Sequence, residues 1–452
     1  MKKIWECLLF ILIFAATVSG QIDSSEVVLP IPNRPDIAVA EIATINVGVW
    51  AFAYFVLDGF WSQISYQSAV WNMRHGFEWD PNVFKTNFFD HPYHGNLYFN
   101  AARTNGMSFW ESTPFVFGGS MMWELFMESE FPSYNDLVMT TLGGISVGEV
   151  MFRFSEQLLD DRARGSERVF RELGAALINP VGGFNRLIRG DMKQKRSFAN
   201  HIRQPITGTL SVGGRGEWRG SDFDNIKTNP TVEMTLHYGS PLHMKDKRKP
   251  FDYFTFRFWT SKADTTRNMA ITARALLLGK NFQTGVNDQV THLVGLFQHH
   301  DYVNNQIVNF GGATIGSGLM SRFPLRSNLT LITAPHIGAV IIGGSNNEYA
   351  TSSHGLNYNY SWGYKVRLDA LLMHDTFGSL YFDYNYFFYN AIQGAQGTDR
   401  IDMLSLEYNV PIWENFGLGL EYIYYYRDAH YRDFADVQKS FNGLRLLVSY
   451  FY

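Results

Sequence analysis

The sequence predicts an α+β protein in which an N-terminal helical domain precedes an antiparallel transmembrane β-barrel of about 12 strands. Two patterns and the composition support this prediction. From about Ile206 apolar and polar residues alternate, which is the side-chain period of a β-strand. Before that point apolar residues recur at helical spacing. Aromatic residues make up 16% of the chain although its mean hydropathy is only −0.15, a combination that suits strands whose apolar residues alternate with polar ones.

The first twenty residues resemble a secretory signal peptide. Lys2 and Lys3 precede a short apolar run over residues 8–16, and small residues follow it. The run is shorter than the ~20 apolar residues that a membrane-spanning helix needs. Residues 1–20 are therefore predicted to be removed. The only cysteine, Cys7, lies in this segment, so the mature chain is predicted to have neither disulfides nor thiol chemistry.

Residues 21–42 contain several prolines and few charges, and they are predicted to form an extended leader. A helical domain is predicted over residues 43–195, and it opens with an apolar helix that Asp58 interrupts. The apolar stretch of that helix is too short to span a bilayer. Further helices are predicted around residues 94–105, 117–130, 134–160 and 165–177, the last of them ending in a Pro/Gly turn.

The longest of these predicted helices carries a small and polar face. Asp136, Thr140 and Gly144 follow one another at i+4 and share that face, where small residues let two backbones approach closely. Glu149 and Arg153 have the same spacing, in the order that favours an ion pair. The pattern therefore predicts that this helix packs tightly against a neighbour.

On the preceding helix Glu124 and Glu128 lie at i, i+4, where two carboxylates repel unless a cation, a metal or a proton intervenes. In a functional interpretation, the histidines and carboxylates of this region form a metal site or a general acid/base site. The candidate catalytic residues are His91, His94, Glu111, Ser112, Glu124 and Glu128.

The other interpretation of these residues is structural. Arginines neutralise the glutamates, histidines cap helix ends, and the whole is a buried polar network that joins helices. The predicted network residues are Arg103, Asp136, Glu149 and Arg153. No metal-binding motif is matched, because His91 and His94 straddle a proline and a glycine. The sequence therefore predicts no metal and no other cofactor, and it favours the structural interpretation.

Three other segments give weaker signals. Residues 297–302, "FQHHDY", combine two histidines with an aspartate, and they are predicted to be an exposed polar loop rather than a hydrolase site. Residues 213–220 are glycine-rich, but they lie in a predicted strand and lead into no helix, which argues against a phosphate-binding loop. Residues 162–174 are predicted to be a mixed-charge surface helix.

The barrel is predicted over residues 205–452. In its strands aliphatic and then aromatic residues share one face, as in Leu418, Leu420 and Tyr422, which is typical of a lipid-facing surface with aromatic girdles. A soluble β-sandwich or lipocalin-like barrel also alternates, but it would place this apolar face inside. The candidate strands lie near residues 206–218, 229–239, 251–261, 268–279, 289–300, 305–318, 328–343, 357–373, 377–390, 400–411, 415–427 and 440–452.

The opposite face of the strands is predicted to line the lumen, and its charged residues carry both signs. The predicted lumen-facing residues are Arg215, Glu233, Arg257, Lys365, Arg367, Asp369, Asp383, Glu407, Glu421, Arg427 and Arg445. Such a lining favours salt-bridged closure, or docking of a domain, over a strongly ion-selective pore. Helices rich in Gly, Ser and buried charge are not expected to face lipid. The helical domain is therefore predicted to plug the lumen or to lie under its periplasmic mouth.

The connections between the strands are expected to differ in length at the two ends of the barrel. Residues 374–376 and 411–415 are predicted to be short periplasmic turns, and residues 343–357 and 391–400 to be longer surface loops. One connection, residues 239–250, is long on the periplasmic side and does not fit this pattern.

Residues 71–189 resemble an uncharacterised bacterial family, a domain of unknown function found in envelope proteins. The residues that carry the resemblance form ordered blocks over roughly a quarter of the chain: "HPYHGNLYFNAARTNG", "ESTPFVFGGSMMWELFME", "PSYNDLVMTTLGGISVGEVMFRFSE" and "NPVGGFNRLIRG". The resemblance implies a location in the cell envelope, and it implies no activity and no catalytic residue.

The expected location is the outer membrane of a Gram-negative bacterium, and the expected role is structural or one in transport. The final strand ends on Tyr452 and so resembles the C-terminal signal of outer-membrane assembly machinery, which is an expected partner together with outer-membrane lipid. The net charge of −4 gives no indication of a nucleic-acid partner. The alternative is an envelope enzyme that acts on lipid or lipopolysaccharide through the His/Glu cluster. The sequence identifies no substrate or solute and leaves open whether the protein is an enzyme.

Overall fold

The computed structural model describes residues 31–80, 82–196, 201, 203–218, 227–245, 248–262, 267–305, 308–349 and 357–452. The chain divides into two compact units. The helical unit comprises Met1–Asp80 and Lys85–Pro205, and the barrel unit comprises Pro81–Phe84 and Ile206–Tyr452. The predicted signal peptide, residues 1–20 with Cys7, lies outside the described residues.

The described part of the helical unit contains seven α-helices. Shorter 3₁₀ or π turns occupy Phe60–Ser62, Thr86–Asp90 and Asp191–Lys193. The helices are α1 (Pro35–Phe55), α2 (Tyr66–His75), α3 (His91–Arg103), α4 (Phe109–Phe126), α5 (Tyr134–Leu158), α6 (Gly165–Ile178) and α7 (Pro180–Arg189).

The first helix begins earlier than the sequence predicts. The extended leader was expected to continue to residue 42, but α1 already starts at Pro35. The fixed φ of proline suits the first turn of a helix, where its missing N–H costs no hydrogen bond. Ala38 and Ile42, at i and i+4, are both buried and hold this first part of α1 on the unit. The leader prediction is therefore wrong from residue 35 onwards.

Two helices were not predicted, and each has a local signal at its start. α2 begins with a capping box in which the Ser65 and Ser68 side chains satisfy each other's backbone N–H groups. At α7 the sequence predicts a Pro/Gly turn, but Pro180 is instead the first helical residue. The Asn179 side chain accepts the N–H of Gly182 and so caps this helix.

Helices α3 and α5 approach so closely that their backbones are in contact. A Cβ atom added to Gly95 of α3 would lie 1.9 Å from the carbonyl oxygen of Thr140, and one added to Gly144 would lie 2.5 Å from the Cα of Gly95. Only glycine fits at such positions. The small face predicted for α5 is thus the surface that packs on α3.

The barrel unit is a closed antiparallel barrel of twelve strands, as predicted. Each strand pairs with its sequence neighbours, and the first strand pairs with the last, from Thr209 opposite Phe451 to Trp218 opposite Asn442. The strands are β1 (Ile206–Trp218), β2 (Lys227–Tyr238), β3 (Phe254–Lys262), β4 (Arg267–Thr284), β5 (Val290–Asn304), β6 (Asn309–Arg326), β7 (Leu329–Thr333 and His336–Asn346), β8 (Tyr358–His374), β9 (Gly378–Gln393), β10 (Gly397–Trp413), β11 (Phe416–Tyr431) and β12 (Val437–Phe451).

Strand β7 is interrupted in its middle but keeps its place in the barrel. Both of its segments pair with β6 on one side and β8 on the other. The interruption falls at Ala334 and Pro335, because a proline cannot donate to the ladder. The N–H of Ala334 donates to the carbonyl of Asp369 at 2.8 Å, and the carbonyl of Pro335 accepts the N–H of Leu319 at 3.0 Å.

The barrel has a terminal end, where Ile206 and Phe451 lie, and a far end opposite to it. At the far end, β9 and β10 are longer than predicted and leave only residues 394–396 between them. The prediction of a long loop over residues 391–400 is therefore wrong. In the other predicted loop, β7 continues to Asn346, and residues 350–356 lie outside the described residues.

The two faces of the strands differ in polarity. Apolar side chains such as Leu446, Leu420 and Val448 point outward and are exposed, whereas Arg445 and Glu421 point inward and are buried. A water-soluble barrel would have the opposite arrangement. An apolar exterior on strands long enough to cross a bilayer is the mark of a transmembrane barrel, and closure leaves no strand edge unpaired in the membrane.

Candidate functional site

The lumen contains a first charge cluster made of two glutamates and two arginines from four strands. Arg257 of β3 contacts Glu233 of β2 at 2.6 Å and Glu421 of β11 at 3.2 Å. Arg445 of β12 pairs with Glu421 at 2.9 Å and also contacts Glu233. Each carboxylate thus lies between two guanidinium groups, and the cluster as a whole is neutral.

A second charge cluster lies on the opposite wall. Arg274 of β4 contacts Asp369 of β8 at 3.0 Å. Arg367, also on β8, pairs with Asp383 of β9 at 3.0 Å and donates to the Tyr381 hydroxyl at 3.1 Å. Two cations face two anions here as well. The arrangement holds β4, β8 and β9 together across the lumen.

Two further ion pairs lie in the half of the barrel nearer its far end. Lys365 contacts Asp301 at 2.7 Å, and both side chains are buried. Arg427 contacts Asp399 at 2.8 Å and the more exposed Glu348 at 3.4 Å. The charged groups named in these clusters are therefore paired within the lumen and do not form a ring of one sign.

An apolar layer crosses the lumen next to the charge clusters. It is built from inward-facing residues of β3 to β10, among them the rings of Phe310 and Phe387, whose centroids are 5.0 Å apart. The members of the layer are Trp259, Ala270, Val303, Val308, Phe310, Val340, Phe387, Tyr389, Ile401 and, partly buried, Met403. Side chains of the barrel itself therefore occupy part of the lumen at this level.

A cavity of about 470 Å³ lies between the apolar layer and the terminal end. Phe310 and Phe387 form part of its wall on the far side, and Thr207 and Phe451 line it near the terminal end. Arg257 and Asp369 contribute charged groups to its lining. The cavity thus offers both apolar and polar contacts to a small molecule.

The long connection between β2 and β3 narrows the terminal end of this cavity. Pro241 and Leu242 line the cavity. The buried Arg248 fixes the connection, because it donates to the Oδ1 of Asn281 and to the carbonyl of Pro241, both at 2.8 Å. The connection that did not fit the sequence pattern is therefore folded against the lumen rather than extended as a loop.

The eleven lumen residues expected from the sequence all lie in strands, and the structure places eight of them in the lining of the cavity. The other three, Arg215, Lys365 and Arg427, are buried outside that lining. Sequence reasoning missed Arg274 and Asp301, which complete two of the ion pairs. The strands that carry Arg274 and Asp301 alternate weakly. Their inward position could have been found only from their pairing with neighbouring strands that alternate clearly.

Residues 297–302 are not the exposed polar loop that the sequence predicts. They lie within β5, and His299, His300 and Asp301 are all buried. His299 and Asp301 have the inward parity of the strand, and Asp301 is paired with Lys365. The histidines belong to a strand because the antiparallel pairing of β5 with β4 and β6 continues through them to Asn304.

In the helical unit, Glu149 lies between two arginines. Arg103 of α3 contacts its two carboxylate oxygens at 2.8 and 3.2 Å, and Arg153, one turn further along α5, contacts it at 2.7 Å. Arg103 also donates to the carbonyl of Met107 at 3.0 Å. The Glu149 side chain is fully buried. Three of the four expected network residues therefore meet at one point, and they tie α3 to α5.

Another buried group of charges, in the helical unit, surrounds Asp161, and the sequence does not predict it. Arg168 and Arg186 contact Asp161 at 2.9 and 3.0 Å, and Glu172 accepts from both arginines. Residues 162–174 were expected to be a surface helix, but Arg168 and Glu172 are buried. A single sequence cannot show that Arg186 of α7 is a partner of Asp161 and Glu172.

His201 also contacts this cluster. Its Nδ1 is 3.1 Å from Glu156 and its Nε2 is 3.4 Å from Asp161. Burial alone would lower the pKa of His201, but the two carboxylates outweigh burial and raise its pKa above the ordinary value. The surrounding cations and hydrogen bonds hold the pKa of Asp161 well below its usual range, although burial opposes them.

The candidate catalytic histidines are partly buried on α3. The Nε2 of His91 is 3.2 Å from the Oδ1 of Asp136, and its Nδ1 is 3.2 Å from the Thr140 hydroxyl. The Nε2 of His94 is 2.8 Å from the Tyr98 hydroxyl. Burial lowers the pKa of His91 to about 4 and that of His94 to about 3, so both rings are neutral at neutral pH.

The candidate carboxylates do not converge on one place. Glu111 is exposed and forms the capping box of α4 with Ser108, whose N–H donates to it at 2.8 Å. Ser112 donates to the Ser108 carbonyl at 2.8 Å. Glu124 lies thirteen residues further along α4, about 20 Å away at 1.5 Å per residue. It is buried and accepts the N–H of Ser133 at 2.8 Å.

Glu124, which is buried, and Glu128, which is partly buried just beyond the end of α4, form an acidic pair. Burial raises the pKa of each above its ordinary value, and neighbouring carboxylates, among them Asp136, raise it further. The Nδ2 of Asn72 donates to the backbone carbonyls of both glutamates, at 3.3 and 3.0 Å. Within the described residues no three His, Cys, Asp or Glu side chains are placed to hold a metal ion.

The comparisons with known proteins concern the two units separately. Residues 76–181 match the sequence profile of a domain of unknown function (DUF3943). This confirms the resemblance expected over residues 71–189. No curated protein matches the chain.

Several solved structures match about half of this chain at low similarity. The NanC porin is 12% identical, with a TM-score of 0.26, and the match covers 53% of this chain and 98% of the porin. An outer membrane channel from Pseudomonas putida F1 is 8% identical, with a TM-score of 0.29 and coverage of 56% and 96%. The outer membrane channel DcaP of Acinetobacter baumannii is 9% identical, with a TM-score of 0.23 and coverage of 55% and 96%. At this level of similarity, the neighbours carry no argument about what this barrel binds.

The class of the protein follows from its own geometry. Twelve strands close without an edge, their outer face is apolar, and their inner face is charged and paired. The chain therefore contains a transmembrane β-barrel of the outer-membrane type, and its N-terminal helical unit matches, over residues 76–181, the domain of unknown function DUF3943.

Proposed function

We propose that this outer-membrane barrel binds a small amphipathic solute in a lumen that is closed at rest, and that it takes part in the passage of that solute across the membrane. The observation that carries the proposal is the cavity of about 470 Å³ between the apolar layer and the terminal end. Cavities of roughly 300–1,000 Å³ accommodate small organic ligands.

The lining of the cavity supports an amphipathic solute rather than an ion. Phe310 and Phe387 offer apolar contacts, while Arg257 and Asp369 offer hydrogen bonds. The charges of the first and second clusters are balanced, so the lumen presents no ring of one sign that would select cations or anions. A solute that exchanges polar contacts with these clusters could loosen them as it enters.

Channel recording of the full chain in planar bilayers tests the closed lumen. We expect the wild-type barrel to show no steady open conductance, because the apolar layer and the paired charges obstruct the path. The double variant Phe310→Ala with Phe387→Ala removes two rings from the layer, and we expect it to conduct. A matched control removes two outward-facing side chains, Leu420→Ala with Leu446→Ala, and should behave as the wild type.

Two results would overturn the closed lumen: a steady conductance of the wild-type protein, or a double variant that remains silent although it is folded. Folding is checked by migration on a gel, because a folded barrel resists dodecyl sulfate until it is heated. A structural role in the envelope stays the alternative for a barrel that never conducts. The arrangement of the His/Glu cluster gives no support to an envelope enzyme, because Glu111 and Ser112 lie about 20 Å from Glu124 along α4.

The position of the helical unit, in the lumen or under its periplasmic mouth, stays a prediction. Recognition of the last strand by outer-membrane assembly machinery also stays a proposal. It is supported by the aromatic end of the chain, where the rings of Tyr450 and Tyr452 stack with centroids 6.4 Å apart. Replacing both tyrosines with serine should lower the amount of barrel that reaches the outer membrane.

A further inference from the structure

Helices α6 and α7 have an inverted polarity. Their charged residues Arg168, Glu172 and Arg186 point into the unit and are buried around Asp161. Six of their large apolar residues point outward, and each of the six is more than half exposed. The α6–α7 apolar face consists of Phe170, Leu173, Leu177, Phe184, Leu187 and Ile188.

The spacing shows that each half of this face is a continuous stripe. Phe170, Leu173 and Leu177 follow at i, i+3 and i+7 on α6, and α7 repeats the pattern over one turn with Phe184, Leu187 and Ile188. The two helices form a tight hairpin, because a Cβ on Gly183 would lie only 2.4 Å from the Cβ of Ala176. A large apolar patch of this kind on a monomer marks an interaction surface.

This face cannot turn inward without loss of the ion pairs of α6 and α7. Rotating either helix would place its apolar stripe in the unit, but it would also expose or separate Arg168, Glu172 and Arg186 from Asp161. Breaking one buried ion pair is strongly destabilising. The apolar face therefore needs a partner outside the helical unit.

The charges around the hairpin indicate what that partner is. Residues 160–196 contain nine arginines and lysines and five acidic residues, so basic residues are in excess. Arg164, Lys193 and Lys195 are exposed at the base of the hairpin, on both sides of the two helices. Their two segments are adjacent, because Arg164 donates to the backbone carbonyl of Arg196 at 3.2 Å. An apolar face bordered by basic residues matches acyl chains bordered by anionic phosphates.

We propose that the α6–α7 hairpin lies flat in the interfacial region of a phospholipid leaflet, with the α6–α7 apolar face among the acyl chains and the basic base at the phosphates. The helices have 14 and 10 residues, too few to span a bilayer but sufficient to lie in its surface. A bilayer is available to the hairpin, because the barrel unit of the same chain is embedded in one. This revises the expectation that the helices of this unit do not face lipid.

Helix α1 has a related property. By length and composition it could cross a membrane, so the expectation that its apolar stretch is too short to span a bilayer is wrong. Only 22% of its most apolar 18 residues are buried, and Val47, Phe52 and Phe55 are exposed. Helix α5 also has the length and composition of a membrane-spanning helix, but 67% of its most apolar stretch is buried, as expected for a core helix. An apolar exterior is thus not confined to the hairpin, and a lipid environment would suit α1 as well.

Spin labelling of the full chain in vesicles of phosphatidylethanolamine and phosphatidylglycerol tests the proposal. Cys7 is the only cysteine, so a Cys7→Ser background allows single labels at Phe170→Cys, Leu177→Cys or Ile188→Cys. We expect these labels to collide with oxygen, which dissolves in the membrane, more often than with a water-soluble nickel chelate. Leu446→Cys on the barrel exterior is the lipid control, and the exposed Glu167→Cys on the flank of α6 is the aqueous control.

Labels at the hairpin that collide mainly with the nickel chelate would show a water-facing surface and overturn the proposal. Labels shielded from both reagents would show that a protein surface, such as a second copy of this chain, covers the face, and would overturn it too. The contact between the basic residues at the base of the hairpin and the lipid phosphates is tested separately. Replacing Lys193 and Lys195 with glutamine, or phosphatidylglycerol with phosphatidylcholine, should make the labels shallower, and an unchanged depth would refute the headgroup contact. The Leu446→Cys control reports on the barrel independently.

Discussion

At the scale of single residues, Glu149 is the group on which the order of the helical unit depends most directly. It is a fully buried carboxylate whose two neighbours, Arg103 and Arg153, are also largely buried. A buried charge is tolerated only when it is paired and hydrogen-bonded. Removing Glu149 would leave two cations facing each other without a counter-ion, whereas removing one arginine would leave the other pair intact.

We therefore expect Glu149→Gln to lower the free energy of unfolding of the helical unit by about 3–5 kcal/mol, the range for breaking a buried ion pair. Loss of helical circular dichroism with rising urea, measured on the full chain in detergent, reports this change. The matched control is Glu167→Gln, which removes an exposed partner of Arg171 and should cost less than about 1 kcal/mol. Equal effects of the two substitutions would refute a structural role of Glu149.

Charged lumen residues could be predicted wherever a strand alternates clearly. Glu421 and Arg445 lie opposite each other in strands whose apolar positions repeat without a gap, so the parity of the sequence places both inside. Arg274 and Asp301 could not be placed in this way, because β4 and β5 contain runs without alternation. The cluster around Asp161 could not be predicted for another reason: only Arg168 and Glu172 are related by a spacing within one helix, whereas Asp161 precedes α6 and Arg186 comes from α7.

At the scale of elements, the contact between α3 and α5 has the least space of any helix pair in the unit. Gly95 and Gly144 determine which side chains the contact can accommodate, because the two backbones touch at these residues. A methyl group has no room there, because the nearest atoms belong to the backbone of the other helix and cannot rotate away. Every residue of α3 that contributes to the polar core, including His91 and Arg103, depends on this distance.

We expect Gly95→Ala to destabilise the helical unit by about 1–3 kcal/mol, the usual cost of overpacking. Gly118 on α4 is the matched control, because no atom lies within 4 Å of an added Cβ and the position is exposed. Gly118→Ala should stabilise the unit by about 0.5–1 kcal/mol, since alanine favours the helix more than glycine does. Thermal unfolding followed by circular dichroism measures both, and a Gly95→Ala variant as stable as Gly118→Ala would contradict the close contact.

The elements themselves were predicted with different success for physical reasons. All twelve strands were found, because a period of two over many residues leaves little freedom in where a strand lies. Helix α1 was placed too late, because prolines before it suggested an extended chain although one of them, Pro35, begins the helix. The sequence predicts a turn in place of the short α7, because the start of this helix combines a proline with two glycines. Only the Asn179 cap distinguishes a helix from a turn here.

At the scale of the whole molecule, each strand described in the barrel unit pairs with a strand on both sides. β1 pairs with β12 along its length, and the apolar layer and the charge clusters are built from strand side chains. The sequence could predict closure and a charged lumen, since both follow from strand number and alternation. It could not predict the apolar layer or the cavity, because both arise from side chains that meet only after twelve strands have been brought into register.

A barrel that closes by its own strands should fold without the helical unit. We expect a fragment of residues 206–452, refolded in detergent, to resist dodecyl sulfate until heated, as the full chain does. The matched control is a fragment of residues 206–436, which lacks β12 and leaves β1 and β11 with unpaired edges. It should not acquire this resistance, because unpaired backbone groups are not tolerated in the apolar phase. If only the full chain gives the resistant form, the helical unit is needed to build the barrel, and the two units cannot be treated as independent.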